Sequence, residues 1–265
     1  MARSVSDAAY ILSAIAGKDE RDNYTLAQPF DTPPDYTRSL NFSSLHGAKI
    51  GIPRNGLTPD NTSQPILDAF EAAIQVIKKA GATVIDNANF SAWNEFVADA
   101  NAPLGSESIV LDADFISDLP NYLSQLTSNP NGISNLSDES NFTHNFKLED
   151  YPARDTAVWD QALSLGYNSS DYRFWQAYNH TSYLGGPGGV TGVLEAFNLD
   201  ALILPTDYSP NLPAYAGLPV ITVPMGFYPS NSSITKSESW GLVEVGPNIP
   251  YKISLPNWAF SIFMY

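Results

Sequence analysis

Two short runs rich in β-branched residues, with a helical stretch between them, constrain the fold more than any other feature. Ile50 and Ile52 in Lys49-Ile-Gly-Ile-Pro-Arg54 predict a strand, and Thr83-Val-Ile-Asp86 predicts a second. Between them Ile66, Phe70, Ala73, Ile74 and Ile77 recur at helical spacing until Gly81. Strand, helix and strand in so short a span make a βαβ unit, with two parallel strands joined by a right-handed crossover. The fold class is therefore α/β.

The remaining sequence fills in around that unit. Ser4-x-x-Asp7 reads as a capping box, followed by the apolar face Ala8, Ile11, Leu12 and Ile15 and an αL stop at Gly17. Residues 18–44, with Pro29, Pro33 and Pro34, predict a surface crossing. Residues 93–126 read as largely helical, with Phe115, Leu119, Tyr122, Leu123 and Leu126 as a buried stripe, and Asn, Ser, Gly and Pro across 128–145 predict loop. A helix is expected around Thr156–Leu165, then an aromatic stretch from Tyr167 to Tyr183 and a flexible turn at Gly185-Gly-Pro-Gly-Gly189. A helix near Val190–Phe197 leads to an apolar strand Ala201-Leu-Ile-Leu204, stopped by Pro205. Leu218-Pro-Val-Ile-Thr-Val-Pro-Met-Gly226 reads as a further buried strand, with its prolines where no ladder donor is lost. With no internal repeat and no linker, residues 1–265 read as a single α/β domain.

Charge and cysteine content exclude several classes of function. Thirteen Lys and Arg stand against 28 Asp and Glu, a formal charge of −15. Such a surface repels phosphate backbones and anionic lipid, so no nucleic-acid partner is expected. Cysteine is absent, which removes disulfides, thiol nucleophiles and Cys-based zinc sites together. No apolar run approaches the roughly 18 residues of a membrane span, and Met1-Ala-Arg-Ser does not open a signal peptide. Yet Asn-x-Ser/Thr sequons are dense, beginning at Asn23, Asn41, Asn61, Asn89, Asn135, Asn141, Asn168, Asn179 and Asn231. Nine is about three times the chance number for this composition, which favours passage through a glycosylating secretory route; the alternative is a chain rich in Asn and Ser whose sequons are never read.

A search for catalytic constellations returns little. Gly-x-Ser-x-Gly and His-Glu-x-x-His do not occur. His46, His144 and His180 are scattered, and solvated or capping roles outweigh a metal site. Ser233-x-x-Lys236 has the spacing of a serine–lysine pair but falls in a polar loop bearing a sequon. Gly186-x-Gly188-x-x-x-Gly192 suggests a phosphate cradle, yet it follows no clear strand and lacks the Lys-Ser/Thr ending. Glu149, Asp150 and Asp155 read as charged surface.

Several longer phrases, taken in order, resemble the amidase-signature hydrolases, and in particular their fungal-type members. Met1-Ala-Arg-Ser-Val-Ser-Asp-Ala-Ala resembles the family's Met-Ala-Arg-Ser segment. Leu45-His-Gly-Ala-Lys-Ile-Gly-Ile-Pro-Arg54 and Ala80-Gly-Ala-Thr-Val-Ile-Asp86 resemble the βαβ unit that follows it. Asp114-Phe, Tyr122-Leu-x-x-Leu126, Asn129-Pro-Asn-Gly and Ala153-Arg-Asp-Thr-Ala-Val-Trp-Asp160 resemble the helical insert. Leu199-Asp-Ala-Leu-Ile-Leu-Pro-Thr206 and Ala214-Tyr-Ala-Gly-Leu-Pro-Val-Ile-Thr-Val-Pro-Met-Gly226 are the strongest matches.

The resemblance implies the C-terminal part of the amidase-signature fold, a mixed β-sheet flanked by helices. It also implies a small-molecule amide substrate, no cofactor, and an acyl-enzyme formed by a serine that a second serine and a lysine assist. In the family the lysine and the Gly/Ser-rich stretch precede the Met-Ala-Arg-Ser segment, so none of the three catalytic residues is matched here and the chain alone is expected to be inactive. Pro205, Thr206, Gly217, Leu218 and Pro219 are expected to shape the substrate pocket, although their apolar members serve equally as core. Lys252 stands where a glycine is usual, and residues 252–265, ending in Trp258-Ala-Phe-Ser-Ile-Phe-Met-Tyr265, are expected to be an aberrant tail. The alternative to an amidase is a non-catalytic glycoprotein, a binding or structural remnant.

Overall fold

The computed structural model describes residues 2, 4–41, 43–57, 63–205, 211–237 and 241–256. The chain divides into two compact units, Met1–Ser91 together with Gly185–Tyr265, and Ala92–Leu184.

The first unit opens with α1 (Val5–Ile15), whose N-cap Ser4 accepts a hydrogen bond from the Asp7 amide at 3.1 Å. Its buried side is not the expected one. Val5 and Ala9 pack with Tyr36, and Leu12 and Ala16 join them, whereas Ile11 and Ile15 are exposed, Ile15 to 74%. Nor does Gly17 supply an αL stop. The helix closes with Ala16 N–H on the Leu12 carbonyl, and Ala16, packed against that cluster, then turns extended (φ −69°, ψ 144°). A short α2 (Asn23–Leu26) and a 3-10 turn at Tyr36–Ser39 carry the surface crossing.

The βαβ unit follows as its spacing predicts. β1 (Lys49–Ile52) pairs in parallel with β2 (Thr83–Asp86), Ile50 opposite Val84 and Ile52 opposite Asp86, and α3 (Gln64–Lys79) makes the crossover. Ile50, Ile52, Phe70 and Ile74 are the buried centre. Gly81 does take the left-handed conformation after α3, with φ +95°. Arg54, just beyond β1, clamps the unit: Nε donates to Asp86 Oδ1 at 2.6 Å, Nη1 donates to Glu71 Oε1, and the guanidinium lies over the Phe70 ring. That contact holds the Asp86 carboxyl below the ordinary aspartate range.

The second unit is helical: α4 (Trp93–Ala100), α5 (Ser106–Ser124), α6 (Leu136–Asn145), α7 (Ala157–Ser164) and α8 (Tyr172–Gly185). Two expectations fail here. The stripe assigned to α5 is largely outside, with Phe115, Tyr122 and Leu126 exposed and Leu119 and Leu123 half-buried. The buried face instead carries Ser106, Asp112 and Ala113, and Asp112 accepts a 2.8 Å hydrogen bond from Gln161 Nε2 of α7. The residues expected to be loop contain α6. Its N-cap is Asn135, whose Oδ1 accepts from the Asp138 amide, while Asp138 Oδ2 accepts from Ser134. The same short polar residues that favour loops satisfy the orphan donors of a helix N-terminus, and Leu136, Ser140 and Thr143 then bury one face.

After the helical unit the chain re-enters the first. α9 (Val190–Phe197) leads to β3 (Ala201–Leu202), which joins β1 on the side opposite β2, so the parallel sheet reads β2-β1-β3. The Lys49 amide donates to Asp200 Oδ2 at 2.8 Å, and Ser91 Oγ donates to the Gly188 carbonyl at 3.2 Å. A second sheet, β4-β8-β5, is antiparallel and consists of β4 (Leu204–Pro205), β5 (Val220–Phe227) and β8 (Pro250–Pro256); α10 (Asn211–Tyr215) precedes β5. β6 (Thr235–Lys236) and β7 (Val243–Val245) form a separate hairpin. β5 is not the buried strand its composition predicts. Ile221 and Val223 pack against the Val5–Ala9–Tyr36 cluster, whereas Val220, Thr222 and Pro224 are exposed. Among the described residues it has a strand partner on one side, and one of its faces is covered, so alternation sets its burial.

Candidate functional site

The segments expected to form a pocket lie on and around the antiparallel sheet. Pro205, buried at the end of β4, faces Ile253 of β8, and Ile253 in turn faces Val223 of β5. β8 thus stands between Pro205 and β5, which places them two strand spacings, about 10 Å, apart. Gly217 follows α10 with φ +65°, where its N–H donates to the Ala214 carbonyl and the Leu218 N–H to the Pro213 carbonyl. Leu218 is half-buried, and Gly217 and Pro219 are exposed. Thr206 lies outside the described residues, as do Asn61 and the tail from residue 257 onward. Lys252–Pro256 belong to β8 and pair with β5.

The polar groups on this sheet are few. Thr222 Oγ1 and Ser254 Oγ are 3.1 Å apart on neighbouring strands, and Ser254 is 1% exposed. Tyr228 Oη lies 3.0 Å from Ser63 Oγ at the start of α3, with the Tyr251 ring set edge-on at 5.2 Å. Val220, Pro224 and Phe227 supply exposed apolar surface alongside. An apolar wall with a few hydroxyls can hold an uncharged substrate in place.

The other candidate groups resolve into structural roles. Ser233 and Lys236 are both exposed on the β6 side of the hairpin. His144 Nε2 pairs with Thr156 Oγ1 at 2.8 Å and its ring rests on Tyr151. His180 Nε2 meets Glu95 at 3.0 Å and Nδ1 lies 3.8 Å from Asp99. Ser106 Oγ donates to Asp99 Oδ2 at 2.7 Å, so a serine, an aspartate and a histidine do come together in the helical unit. Their order is wrong for nucleophilic activation, because the hydroxyl donates to the carboxylate and not to the imidazole. Among the described residues no three His, Asp or Glu side chains converge as a metal site, and no helix is long and apolar enough to cross a membrane.

Of the glycines at 186, 188 and 192, the last has a packing explanation. The Gly192 N–H donates to the Gly186 carbonyl at 3.1 Å, and a Cβ at 192 would stand 2.8 Å from the Pro187 carbonyl carbon and closer still to its oxygen. The turn is folded back onto α9, where Gly186 accepts from the amides of both Gly189 and Gly192. Residue patterns did not single out an open cavity of about 590 Å³ in the helical unit, lined by Ile116, Leu163, Tyr167, Asn168, Ser170 and Asp171. Its one legible signal was the sequon at Asn168, set within the aromatic stretch. Paired hydrogen bonds from Arg173 hold Asp171 down at about 2.

A parallel sheet, an antiparallel sheet and flanking helices in this order define the mixed α/β fold of the amidase-signature enzymes. The structure of native peptide amidase from Stenotrophomonas maltophilia superposes with a TM-score of 0.77 at 25% identity, covering 98% of this chain and 49% of that one. The Amidase family model matches residues 1–216, and the chain belongs to that family. Among curated relatives, "Putative amidase" of Arthroderma benhamiae is 45% identical over 253 residues, 96% of this chain and 42% of the relative. "Putative amidase C869.01" of Schizosaccharomyces pombe is 29% identical over 254 residues, 85% of this chain and 42% of its own length. The chain therefore spans less than half the length of these relatives.

Proposed function

We propose that this chain supplies the later half of an amidase that cleaves carboxamide C–N bonds through a serine acyl-enzyme. In that reading Pro205, Thr206, Gly217, Leu218 and Pro219 border the substrate, while the nucleophilic serine and the serine and lysine that activate it belong to the part of the family fold that this chain does not match. The observation that carries the reading is the agreement of 98% of this chain with only half of a peptide amidase. Family resemblance makes a small-molecule amide the substrate class, and the apolar Val220, Pro224 and Phe227 surface suits an uncharged one.

Residues 1–265 alone are then expected to turn over no amide and to take no serine-directed phosphonate probe, whereas a full-length product that carries the family's lysine and Gly/Ser-rich stretch is expected to do both. A saturable rate or stoichiometric labelling with the purified 265-residue chain would overturn the assignment of the catalytic groups. Absence of amide hydrolysis by the full-length product would overturn the amidase reading and favour the non-catalytic one.

We infer further that the protein passes through a glycosylating secretory route. Of the eight sequon asparagines among the described residues, Asn23, Asn41, Asn89, Asn141, Asn179 and Asn231 are exposed, and Asn135 and Asn168 half-buried. That is the distribution expected of sites that carry hydrophilic chains. Glycosidase treatment of the protein from its native source should increase its gel mobility; unchanged mobility and mass would rule the route out.

A further inference from the structure

We propose that Asn168 carries an N-linked glycan whose first sugar lies in the groove of the helical unit, and that Asn135 is left bare. The inference rests on the secretory reading above and goes beyond it by separating one sequon from another.

Asn168 is itself part of the groove wall. Its Oδ1 accepts from the Ser170 amide at 3.0 Å and from Ser170 Oγ at 2.7 Å, which fixes the side-chain plane. Among the described residues no hydrogen bond engages its Nδ2. The groove beside it holds the groups that sugar rings bind to. Tyr167 offers a rigid aromatic wall, pinned by the Arg173 guanidinium carbon 3.8 Å from its ring centroid. Ile116 and Leu163 present apolar surface to the C–H edges of a pyranose, and Ser170 and the ionised Asp171 present polar atoms to its hydroxyls. At about 590 Å³ the space falls in the usual small-ligand range of roughly 300–1,000 Å³ and exceeds a single ring.

The attachment needs a glycosyl diphosphate donor, which the secretory route supplies. Asn168 Nδ2 forms a bond to the anomeric carbon, and the C–O bond to the diphosphate breaks. The diphosphate leaves with the electron pair, and Nδ2 gives up one of its two protons.

Asn135 differs at its Nδ2. Its Oδ1 caps α6 by accepting from the Asp138 amide at 3.0 Å, and its Nδ2 donates to Ser134 Oγ at 3.2 Å and to Asp138 Oδ2 at 3.0 Å. Both N–H groups are committed, so a glycan there removes a donor from the capping network and forces a half-buried side chain outward.

The test is site-resolved occupancy of the full-length protein from a glycosylating host, read by mass spectrometry after enzymatic deglycosylation in isotopically labelled water. Asn168 should be modified in most molecules and Asn135 in few. Release from native protein should be about tenfold slower at Asn168 than at exposed Asn41, with the difference lost on denaturation, because a seated sugar must first leave the groove. Tyr167→Ala should abolish the difference while Asn168 stays occupied. Glycan at other sequons with Asn168 bare, or equal native release at Asn168 and Asn41, would overturn this inference while leaving the secretory reading intact. No glycan at any sequon would overturn both.

Discussion

Replacing Gly192 by alanine tests whether the glycine-rich turn is a packing device or an open cradle. The new methyl group would stand 2.8 Å from the Pro187 carbonyl carbon and closer to its oxygen, well inside ordinary van der Waals contact. The obstacle is backbone and not a side-chain tip. It is also tethered, because Gly186 accepts from both Gly189 and Gly192 at 3.0 and 3.1 Å. Overpacking of this kind costs about 1–3 kcal/mol, and a backbone obstacle belongs at the upper end. Alanine in a helix returns about 1 kcal/mol. The net is a loss of about 2 kcal/mol, or roughly thirtyfold in the folded-to-unfolded ratio. Urea titration followed by circular dichroism should show a lower midpoint with an unchanged slope. Gly132→Ala is the control: its φ of +64° strains any side chain, but a Cβ there meets nothing within 4 Å. It should cost about 1 kcal/mol, less than Gly192→Ala. A Gly192→Ala protein as stable as the parent would refute the close approach and return the turn to consideration as a ligand site.

Three further outcomes follow from named contacts. Arg54→Met should destabilise the βαβ unit by about 1–2 kcal/mol by urea titration, a modest figure because the Asp86 and Glu71 carboxylates are half-exposed and solvent-screened. The Arg54 hydrogen bond lowers the Asp86 pKa in the folded state, so its stabilisation is complete above the ordinary aspartate value of about 4 and is lost as pH falls through the folded value. An acid titration of stability should therefore be shallower below pH of about 4 in Arg54→Met than in the parent. Asn135→Ala removes the α6 cap and should cost about 1 kcal/mol, with faster amide exchange confined to the first turn of that helix.

What the sequence disclosed, and what it hid, divides along physical lines. The βαβ unit was legible because Ile50, Ile52, Phe70 and Ile74 are buried by backbone periodicity alone. α6 was hidden because Asn135, Ser137, Ser140 and Thr143 suit a loop as well as a capped helix, and only packing against α5 and α7 decides between them. The α5 stripe misled because its buried face carries Asp112, whose burial depends on Gln161 from another helix. The prolines and apolar residues of β5 read as buried on both faces, yet strand composition does not report how many neighbours cover it. The candidate pocket was legible only as family phrases. Its geometry depends on β8, whose role as the strand between Pro205 and β5 no local pattern announces.

The hydrogen bond from Ser91 to Gly188 joins the two points where the chain leaves and re-enters the first unit, and this bears on the order of assembly. During synthesis β1 acquires β2 at once, but its other neighbour is some 150 positions away, across the Lys49–Asp200 contact. The helices emerge in between and their contacts are mostly with one another, so they can consolidate early. Once they have done so, the entropy of closing that long loop has largely been met, since a folded body with adjoining ends acts as a short turn. The parallel sheet is thus completed only after the helical body, and defects in that body would be felt first as slow docking of β3.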